Sequence, residues 1–202
     1  MINQVCRKII ELYKVNKFIE TGICHGHTAM IVQAWFSELY GEEFVLEKSH
    51  KYEIFEVDNS NDVVQHFSGQ NVSHTNFRIF CLDSSEFLRK TKSENFFNES
   101  DNLFFFLDAH STYGECETLK REMKEVAYFK NAIICIDDWN INNNDVYGID
   151  QVKEFISGRT DVYFTTTIPN IGKKSSGIIF LDRFKNELQE TLKDLSLTIN
   201  TL

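Results

Sequence analysis

Basic residues, proline and long hydrophobic runs are scarce in this sequence of 202 residues, and each shortage excludes a class of protein. Lysine and arginine number 21 against 30 aspartate and glutamate residues, and the net charge of -9 argues against nucleic acid as the main partner. One proline and nine glycines leave little room for a disordered linker. The longest apolar runs, residues 103–107 and 132–136, are too short to span a bilayer, so we expect no membrane partner.

The cysteines are odd in number and contain no Cys-x-x-Cys motif, which argues against a disulfide framework. They are Cys6, Cys24, Cys81, Cys116 and Cys135. Most of them stand beside apolar residues, which predicts reduced thiols in or near the core. The first residues carry several charges without a long apolar run, so we expect no signal peptide. Both observations favour a reducing, cytoplasmic location.

Strand-like and helix-like segments alternate along the chain, whose length suits a single α/β domain over residues 1–202. Predicted strands cover residues 17–20, 51–57, 77–82, 103–108, 132–136, 162–167 and 176–181. Predicted helices cover residues 2–15, 28–40, 61–67, 84–92, 115–128, 149–157 and 184–195. This order predicts a Rossmann-like, doubly wound, mostly parallel seven-stranded sheet with helices on both faces. Such sheets bind ligands at the carboxyl ends of their strands.

The segment of residues 18–28 has the pattern of a ligand-binding turn between a strand and a helix. A short apolar strand ends in Glu20, Thr21 and two glycines four positions apart follow, and Thr28 is expected to cap the next helix. Gly22 and Gly26 would let the backbone turn tightly and approach a nucleotide-like ligand. The alternative is a tight strand-to-helix turn without a ligand.

Polar residues also follow the second and third predicted strands. An acid after the second strand is placed to accept hydrogen bonds from the two ribose hydroxyls of a nucleoside. We prefer Glu56 to Asp58 for this role because Glu56 lies nearer the predicted strand end. Asp83 or Ser84 could reach the edge of the base. The alternative for Asp58 and Asp83 is that each only caps the helix after it.

Three acids follow the two most apolar strands, namely Asp108 after the fourth and Asp137 and Asp138 after the fifth. Adjacent carboxylates at a buried strand end repel one another, so a positive group should compensate them. Three converging oxygen ligands suit Mg²⁺, with water or substrate completing the octahedron. The alternative is an acid pair satisfied by backbone N–H groups and a lysine or arginine.

These residues together resemble a class I S-adenosylmethionine-dependent methyltransferase. The first loop is similar to the Glu-x-Gly-x-x-x-Gly-x-Thr pattern of the branch that contains catechol-type and macrocin-type O-methyltransferases. The resemblance covers residues 18–182, and the phrase Phe-Leu-Asp-Ala-His is also similar to a less characterised group of methyltransferases. It implies S-adenosylmethionine as cofactor and Mg²⁺ at Asp108, Asp137 and Asp138. The implied cofactor-binding residues are Glu20, Thr21, Gly22, Gly26, Thr28, Glu56, Asp83, Ser84 and Asp108.

The resemblance implies transfer of a methyl group to a hydroxyl oxygen, and our candidate catalytic residues are Asp108 and His110, although macrocin-type enzymes have an acidic residue where this chain has His110. His110 is the candidate general base, because the pKa of histidine lies near neutrality. Catechol-type enzymes have a lysine where this chain has Ser111, which argues against a catechol. The asparagine-rich run at residues 140–144 suits a hydroxyl-rich acceptor such as a sugar or glycoside. The acceptor pocket would be open, or would be completed by residues 140–148, residues 167–174 or a second subunit of a homodimer.

Other functions remain open at the level of sequence. One is a metal-independent methyltransferase that relies on His110 as base, and another is a nucleotide-binding module without catalysis. A dinucleotide oxidoreductase is disfavoured because the loop lacks Gly-x-Gly-x-x-Gly. A metal-dependent hydrolase built on the aspartate cluster is the remaining alternative.

Overall fold

The computed structural model describes residues 4–41, 52–69, 76–109, 117–139, 163–166, 175–184 and 198–201, together with residue 154. Helices in these parts are α1 (Gln4–Leu12), α2 (His27–Tyr40), α3 (Asn61–Gly69), α4 (Ser84–Ser93) and α5 (Glu117–Val126). Strands are β1 (Lys17–Thr21), β2 (Glu53–Asp58), β3 (Phe77–Cys81), β4 (Leu103–Leu107), β5 (Ala132–Trp139), β6 (Tyr163–Thr166), β7 (Ser175–Phe180) and β8 (Thr198–Thr201). A short 3₁₀ helix follows β7 at Asp182–Phe184.

All eight strands form one sheet in the order β3-β2-β1-β4-β5-β7-β6-β8. The pairs among β1 to β5 are parallel, whereas β7 runs antiparallel to β5 and β6, and β8 runs antiparallel to β6. The predicted Rossmann-like α/β architecture is confirmed, although the described part of the chain contributes eight strands to the sheet where the sequence predicted seven. The extra strand β8 has the sequence Thr-Ile-Asn-Thr, which is too short and polar to give a clear alternating pattern.

Apolar side chains from both faces of the sheet build two core layers. Phe104 and Phe106 of β4 pack on the face covered by α1, α2 and Phe67 of α3. Phe105 of β4 packs on the opposite face, which α4 and α5 cover. Every residue of β4 is buried, as its continuous apolar sequence predicted for a central strand with helices on both sides.

Some expectations fall outside the described residues or are wrong. The helix predicted at 149–157 lies outside the described residues, except that residue 154 is helical. Residues 185–195 of the last predicted helix also lie outside them. Cys6 and Cys135 are buried as expected, but Cys24 and Cys81 are exposed, because each lies where the chain leaves the sheet. No helix in the described part of the chain has the length and apolar character needed to cross a membrane.

Candidate functional site

The glycine loop after β1 lies directly against the carboxyl end of β4. Gly22 has a φ of +86°, and its N–H donates a hydrogen bond to the carbonyl of Val57 at 2.8 Å. A Cβ at Gly22 would lie 2.6 Å from the carbonyl oxygen of Asp108. Both the backbone conformation and this close approach therefore require glycine at position 22.

Gly26 immediately precedes α2, and the prediction that Thr28 caps this helix is wrong. Gly26 occupies the N-cap position with a φ of 68°, and no side chain caps the helix. A Cβ at Gly26 would overlap the ring of Phe67, so α3 packs closely over this end of the loop. Thr28 instead lies inside the first turn, where it is buried and its hydroxyl hydrogen-bonds to Glu20.

Asp58 connects the glycine loop to the start of α3. Its carboxylate accepts hydrogen bonds from the N–H of Ile23 at 3.1 Å and from the N–H of Ser60 at 2.8 Å. Ser60, rather than Asp58, precedes α3 and accepts from the N–H of Val63 at 3.4 Å. Each carboxylate oxygen has two lone pairs, so Asp58 keeps acceptor capacity for a ligand.

A small cavity of about 150 Å³ lies at the carboxyl ends of β1 to β4, where ligands of parallel α/β sheets bind. Its lining residues are Gly22, Val57, Asp58, Asn59, Leu82, Asp83, Ser84, Ala109, Thr118 and Arg121. The cavity thus brings together three of the predicted binding residues, Gly22, Asp83 and Ser84, with Asp58. Glu56 is fully buried and is not part of this lining.

Glu20 and Glu56 form a buried pair of carboxyl groups behind the glycine loop. They are register partners on β1 and β2, and both are almost completely shielded from solvent. Burial raises the pKa of both groups. The charge of Glu20 and the hydrogen bond with it raise the pKa of Glu56 further, whereas the same hydrogen bond partly lowers the pKa of Glu20. Two ionised carboxylates offer no donor, so a proton held by one of them is what bonds this pair.

Asp83 is the N-cap of α4, which is one of the two roles that the sequence left open for it. Its carboxylate accepts from the N–H of Glu86 at 3.1 Å and from the hydroxyl of Ser85 at 2.5 Å. Arg121 of α5 donates to its other oxygen at 3.2 Å. The hydrogen bond from Ser85, more than the other contacts, lowers the pKa of Asp83. An ionised capping group therefore forms one wall of the cavity.

Asp108 and Asp137 stand one position beyond the last matched pair of β4 and β5, Leu107 and Ile136. The N–H of Asp108 donates to the carbonyl of Thr21 at 3.0 Å, and Asp137 accepts from the hydroxyl of Ser176 at 3.1 Å. Both charges contribute to raising the pKa of Glu20, so both acids lie near that buried carboxyl group.

The strand register shifts between Ile136 and Trp139, so β5 continues through the two aspartates with an irregularity instead of ending before them. Such bulges break the alternation of side chains and re-aim them. Among the described residues, no group of three or more histidine, cysteine, aspartate or glutamate side chains has the arrangement of a metal site. His110 and the side chain of Asp138 lie outside the described part of the chain, so the predicted metal set and base stay predictions.

Glu122 and Arg121 were not identified from the sequence. Glu122 is fully buried on α5, near the hydroxyls of Ser84 and Thr21, and burial raises its pKa to about 7. The signal for Glu122 was available, because it shares the apolar helical face of Leu119 and Met123. An acid at a core position of an amphipathic helix is uncommon and indicates a special environment.

Comparison with known proteins gives likeness in structure alone. No protein-family model matches the sequence, and no curated protein matches it. One similar structure is the O-methyltransferase TomG from Streptomyces achromogenes, which is involved in tomaymycin synthesis and was solved with S-adenosylmethionine. TomG is 11% identical to this chain with a TM-score of 0.61, and the match covers 90% of this chain and 81% of TomG. An O-methyltransferase from Bacillus cereus, solved with S-adenosylhomocysteine, is 13% identical with a TM-score of 0.54, over 89% of this chain and 81% of that one.

A third similar structure is CalS11, a TDP-rhamnose 3'-O-methyltransferase of calicheamicin biosynthesis. It is 12% identical with a TM-score of 0.55, over 85% of this chain and 75% of CalS11. At such identities the likeness concerns the fold and leaves the chemistry open. The chain has the α/β Rossmann-like fold of S-adenosylmethionine-dependent O-methyltransferases.

Proposed function

We propose that residues 1–202 form a single S-adenosylmethionine-dependent O-methyltransferase domain that methylates a hydroxyl group of a small molecule. The observation that carries this proposal is the packing of the Gly22 backbone against β4, beside the Asp58 carboxylate, at the ligand-binding edge of the sheet. A side chain at position 22 would collide with the backbone of Asp108 and Ala109, so the loop could not pack against the end of β4. The shared fold with O-methyltransferases supports the same reaction class.

The residues around the small cavity fit the nucleoside part of this cofactor. Asp58 is the ribose ligand in this proposal, because it lines the cavity and retains acceptor capacity, whereas Glu56 is buried behind the loop. The Gly22–Gly26 loop would pass beneath the amino-acid part of the cofactor, and Ser84 would meet the base. Two hydrogen bonds would stabilise the loop. Thr21 accepts one from the N–H of Asp108, and Thr28 forms the other with Glu20.

The cofactor, when bound, supplies a sulfonium-activated methyl group. The protein then has to bring the acceptor oxygen into line and favour its deprotonated form. Asp108 follows β4 immediately and its N–H is fixed on Thr21, so its carboxylate is presented at the same edge as the glycine loop. His110, two residues later, would take the proton of the acceptor hydroxyl.

We further propose that Asp108, Asp137 and Asp138 bind Mg²⁺. Asp108 and Asp137 are neighbours across β4 and β5, and the strand irregularity at the two aspartates provides a means of turning adjacent carboxylates to a common side. Carboxylate oxygens are the ligands that Mg²⁺ prefers. The ion would hold the acceptor oxygen and lower the pKa of its hydroxyl.

The acceptor in this proposal is a sugar or glycoside. The similar structure CalS11 acts on a TDP-sugar, which supports a hydroxyl-rich acceptor. The net charge of -9 disfavours a nucleic acid.

The cofactor assignment is tested by calorimetric titration with S-adenosylhomocysteine on the wild type and on Asp58→Ala. We expect binding by the wild type and a loss of at least tenfold in the variant, because the ribose hydroxyls lose their acceptor. Asp62→Ala is the matched control, since Asp62 is an exposed acid in the first turn of α3. Absence of binding by the wild type would refute the methyltransferase proposal. If only Glu56→Gln loses S-adenosylhomocysteine binding, the ribose ligand is Glu56 instead of Asp58.

The metal assignment is tested separately, by measuring S-adenosylhomocysteine binding and methyl transfer to a panel of sugars with and without EDTA. We expect binding to survive EDTA while turnover is lost, and Asp137→Asn to lose turnover without losing binding. Turnover that persists in EDTA would favour a metal-independent reaction with His110 as base. Binding without turnover on any sugar or phenol would favour a nucleotide-binding module.

A further inference from the structure

A second, larger cavity lies at the edge of the sheet opposite the glycine loop. Its volume is about 890 Å³, and it is formed by the end of α4, the segments that precede β4 and β5, and Arg183 after β7. Its lining residues are Thr91, Lys92, Asn95, Phe97, Asn98, Glu99, Tyr128, Phe129, Lys130, Asn131 and Arg183. The five-residue strands separate it from the small cavity by roughly 17 Å. It is therefore independent of the proposed cofactor pocket.

The charge of this cavity is opposite to that of the protein as a whole. Lys92, Lys130 and Arg183 line it and Glu99 is the one acid among the lining residues, whereas the whole chain has a net charge of -9. A concave surface lined by one sign of charge concentrates ions of the opposite sign. The cavity thus selects for an anion that would be repelled by most of the remaining surface.

Aromatic side chains give the same cavity an apolar wall. Tyr128 is 58% exposed, which is unusual for so large a side chain, and Lys92 Nζ lies 4.0 Å from the centre of its ring. The rings of Phe97 and Phe129 pack behind the cavity with their centres 5.7 Å apart. An exposed aromatic ring beside ammonium and guanidinium groups suits a ligand with a flat apolar part and a negative part.

Hydrogen bonds between neighbouring segments hold the wall of the cavity in place. The side-chain amide of Asn131 donates to the carbonyls of Asn98 and Asp101, and at 3.5 Å to that of Glu99. Arg183 donates from its backbone to Lys130 at 3.2 Å and from Nη1 to the Glu99 carbonyl at 3.4 Å. The cavity is thus preformed, as ligand pockets of this size usually are.

We propose that this cavity binds a small organic anion in which a planar aromatic ring carries a phosphate group. The ring packs against Tyr128, and the phosphate is held by Lys92, Lys130 and Arg183. Guanidinium binds phosphate oxygens in a bidentate manner, while the lysines add charge. A volume of about 890 Å³ accommodates a molecule of this kind with room to spare.

The proposal is tested with 1-naphthyl phosphate as probe, by fluorescence titration at low salt on the full chain. Inorganic phosphate and 1-naphthol are titrated in parallel, because each contains only one half of the recognised chemistry. We expect 1-naphthyl phosphate to bind at least tenfold more tightly than either half and to weaken as salt is added. Excess S-adenosylhomocysteine should leave this binding unchanged, because the two cavities are separate.

Arg183→Ala and Tyr128→Ala should each weaken 1-naphthyl phosphate at least fivefold, and each variant is checked for wild-type thermal unfolding. Lys124→Ala is the control, because Lys124 is exposed on α5 and does not line the cavity. The proposal is overturned if the wild type does not bind 1-naphthyl phosphate, if S-adenosylhomocysteine displaces it, or if Arg183→Ala and Lys124→Ala bind it equally.

Discussion

Glu20 on β1 and Glu56 on β2 stand side by side in adjacent parallel strands, and both of their carboxyl groups are buried. A pair of ionised carboxylates in this position would repel one another without solvent to screen them. The pair is tolerated because burial raises the pKa of each group, so that the folded protein retains a proton there. The fold therefore carries a pH-sensitive element directly behind the proposed cofactor loop.

Replacing Glu56 by glutamine should stabilise the protein at neutral and alkaline pH. A carboxyl group with a raised pKa holds a proton in the folded state that the unfolded chain releases above its ordinary pKa of 4.5, so stability falls as pH rises from there. Glutamine does not titrate, and its amide is a permanent donor to Glu20. We expect Glu56→Gln to gain on the order of 1–3 kcal/mol at pH 8 in urea unfolding.

The same comparison below about pH 3.5 should show a much smaller difference, because both carboxyl groups are then largely protonated in either state. Glu86→Gln is the control, since Glu86 is exposed on α4. A Glu56→Gln variant that is less stable than the wild type at pH 8 would contradict the shared proton.

Replacing Glu122 by glutamine should also stabilise the protein at alkaline pH. The rise of its pKa from 4.5 to about 7, caused mainly by burial, corresponds to about 3 kcal/mol. As for Glu56, the folded state holds the proton more tightly than the unfolded chain. This contribution to the free energy of unfolding is therefore present below pH 4.5 and is lost between about pH 4.5 and pH 7. We expect Glu122→Gln to be up to about 3 kcal/mol more stable than the wild type at pH 8.

Differential scanning calorimetry between pH 4.5 and pH 8 measures this difference, and Glu125→Gln on the same helix is the control because Glu125 is only half-buried. The Tm of Glu122→Gln should diverge from that of the wild type only as pH increases. A constant offset at every pH would mean that Glu122 is not protonated in the folded protein.

The sequence predicts the parallel half of the fold well and the antiparallel half less completely. Strand β4 and residues 132–136 of β5 are continuous apolar runs, and burial on both faces is what a parallel sheet with helices on both sides requires. The direction of β7 and the existence of β8 depend on pairing between distant segments, which leaves little trace in local composition. Sequence periodicity alone therefore could not provide them.

The candidate site shows a similar division. Gly22 and Gly26 were expected from spacing alone, and both have a positive φ. The preference for Glu56 over Asp58 rests on distance from a predicted strand end, which does not say how deeply a side chain is buried. Because side chains alternate along a strand, moving by two residues keeps the face but changes the depth, and this separates the buried Glu56 from Asp58 at the cavity.

Gly22→Ala should destabilise the protein and abolish cofactor binding. Alanine at a φ of +86° is strained, and its Cβ would lie 2.6 Å from the carbonyl oxygen of Asp108. We expect a loss of at least about 1–3 kcal/mol in urea unfolding, and no calorimetric signal with S-adenosylhomocysteine. Gly69→Ala is the matched control, because a Cβ there meets no atom within 4 Å, so both stability and binding should stay near wild-type values.

At the amino ends of their strands, Lys17 on β1 and Glu53 on β2 form a buried ion pair with Nζ and Oε2 2.6 Å apart. Arg78 Nε approaches the other oxygen of Glu53 at 2.7 Å, from a more exposed position. Replacing Glu53 by alanine removes the carboxylate between these two cations. We expect a loss of about 3–5 kcal/mol in urea unfolding, because a charge in a buried site loses its partner.

The double variant Lys17→Met/Glu53→Leu tests whether this cost comes from the unpaired charge. Two apolar side chains of similar size remove both desolvation costs, so the double variant should be more stable than Glu53→Ala alone and close to the wild type. Arg78→Ala should cost no more than about 1 kcal/mol, because Arg78 is partly exposed. If the double variant is as unstable as the sum of Lys17→Met and Glu53→Leu, the two side chains contribute independently and the buried pair does not act as a unit.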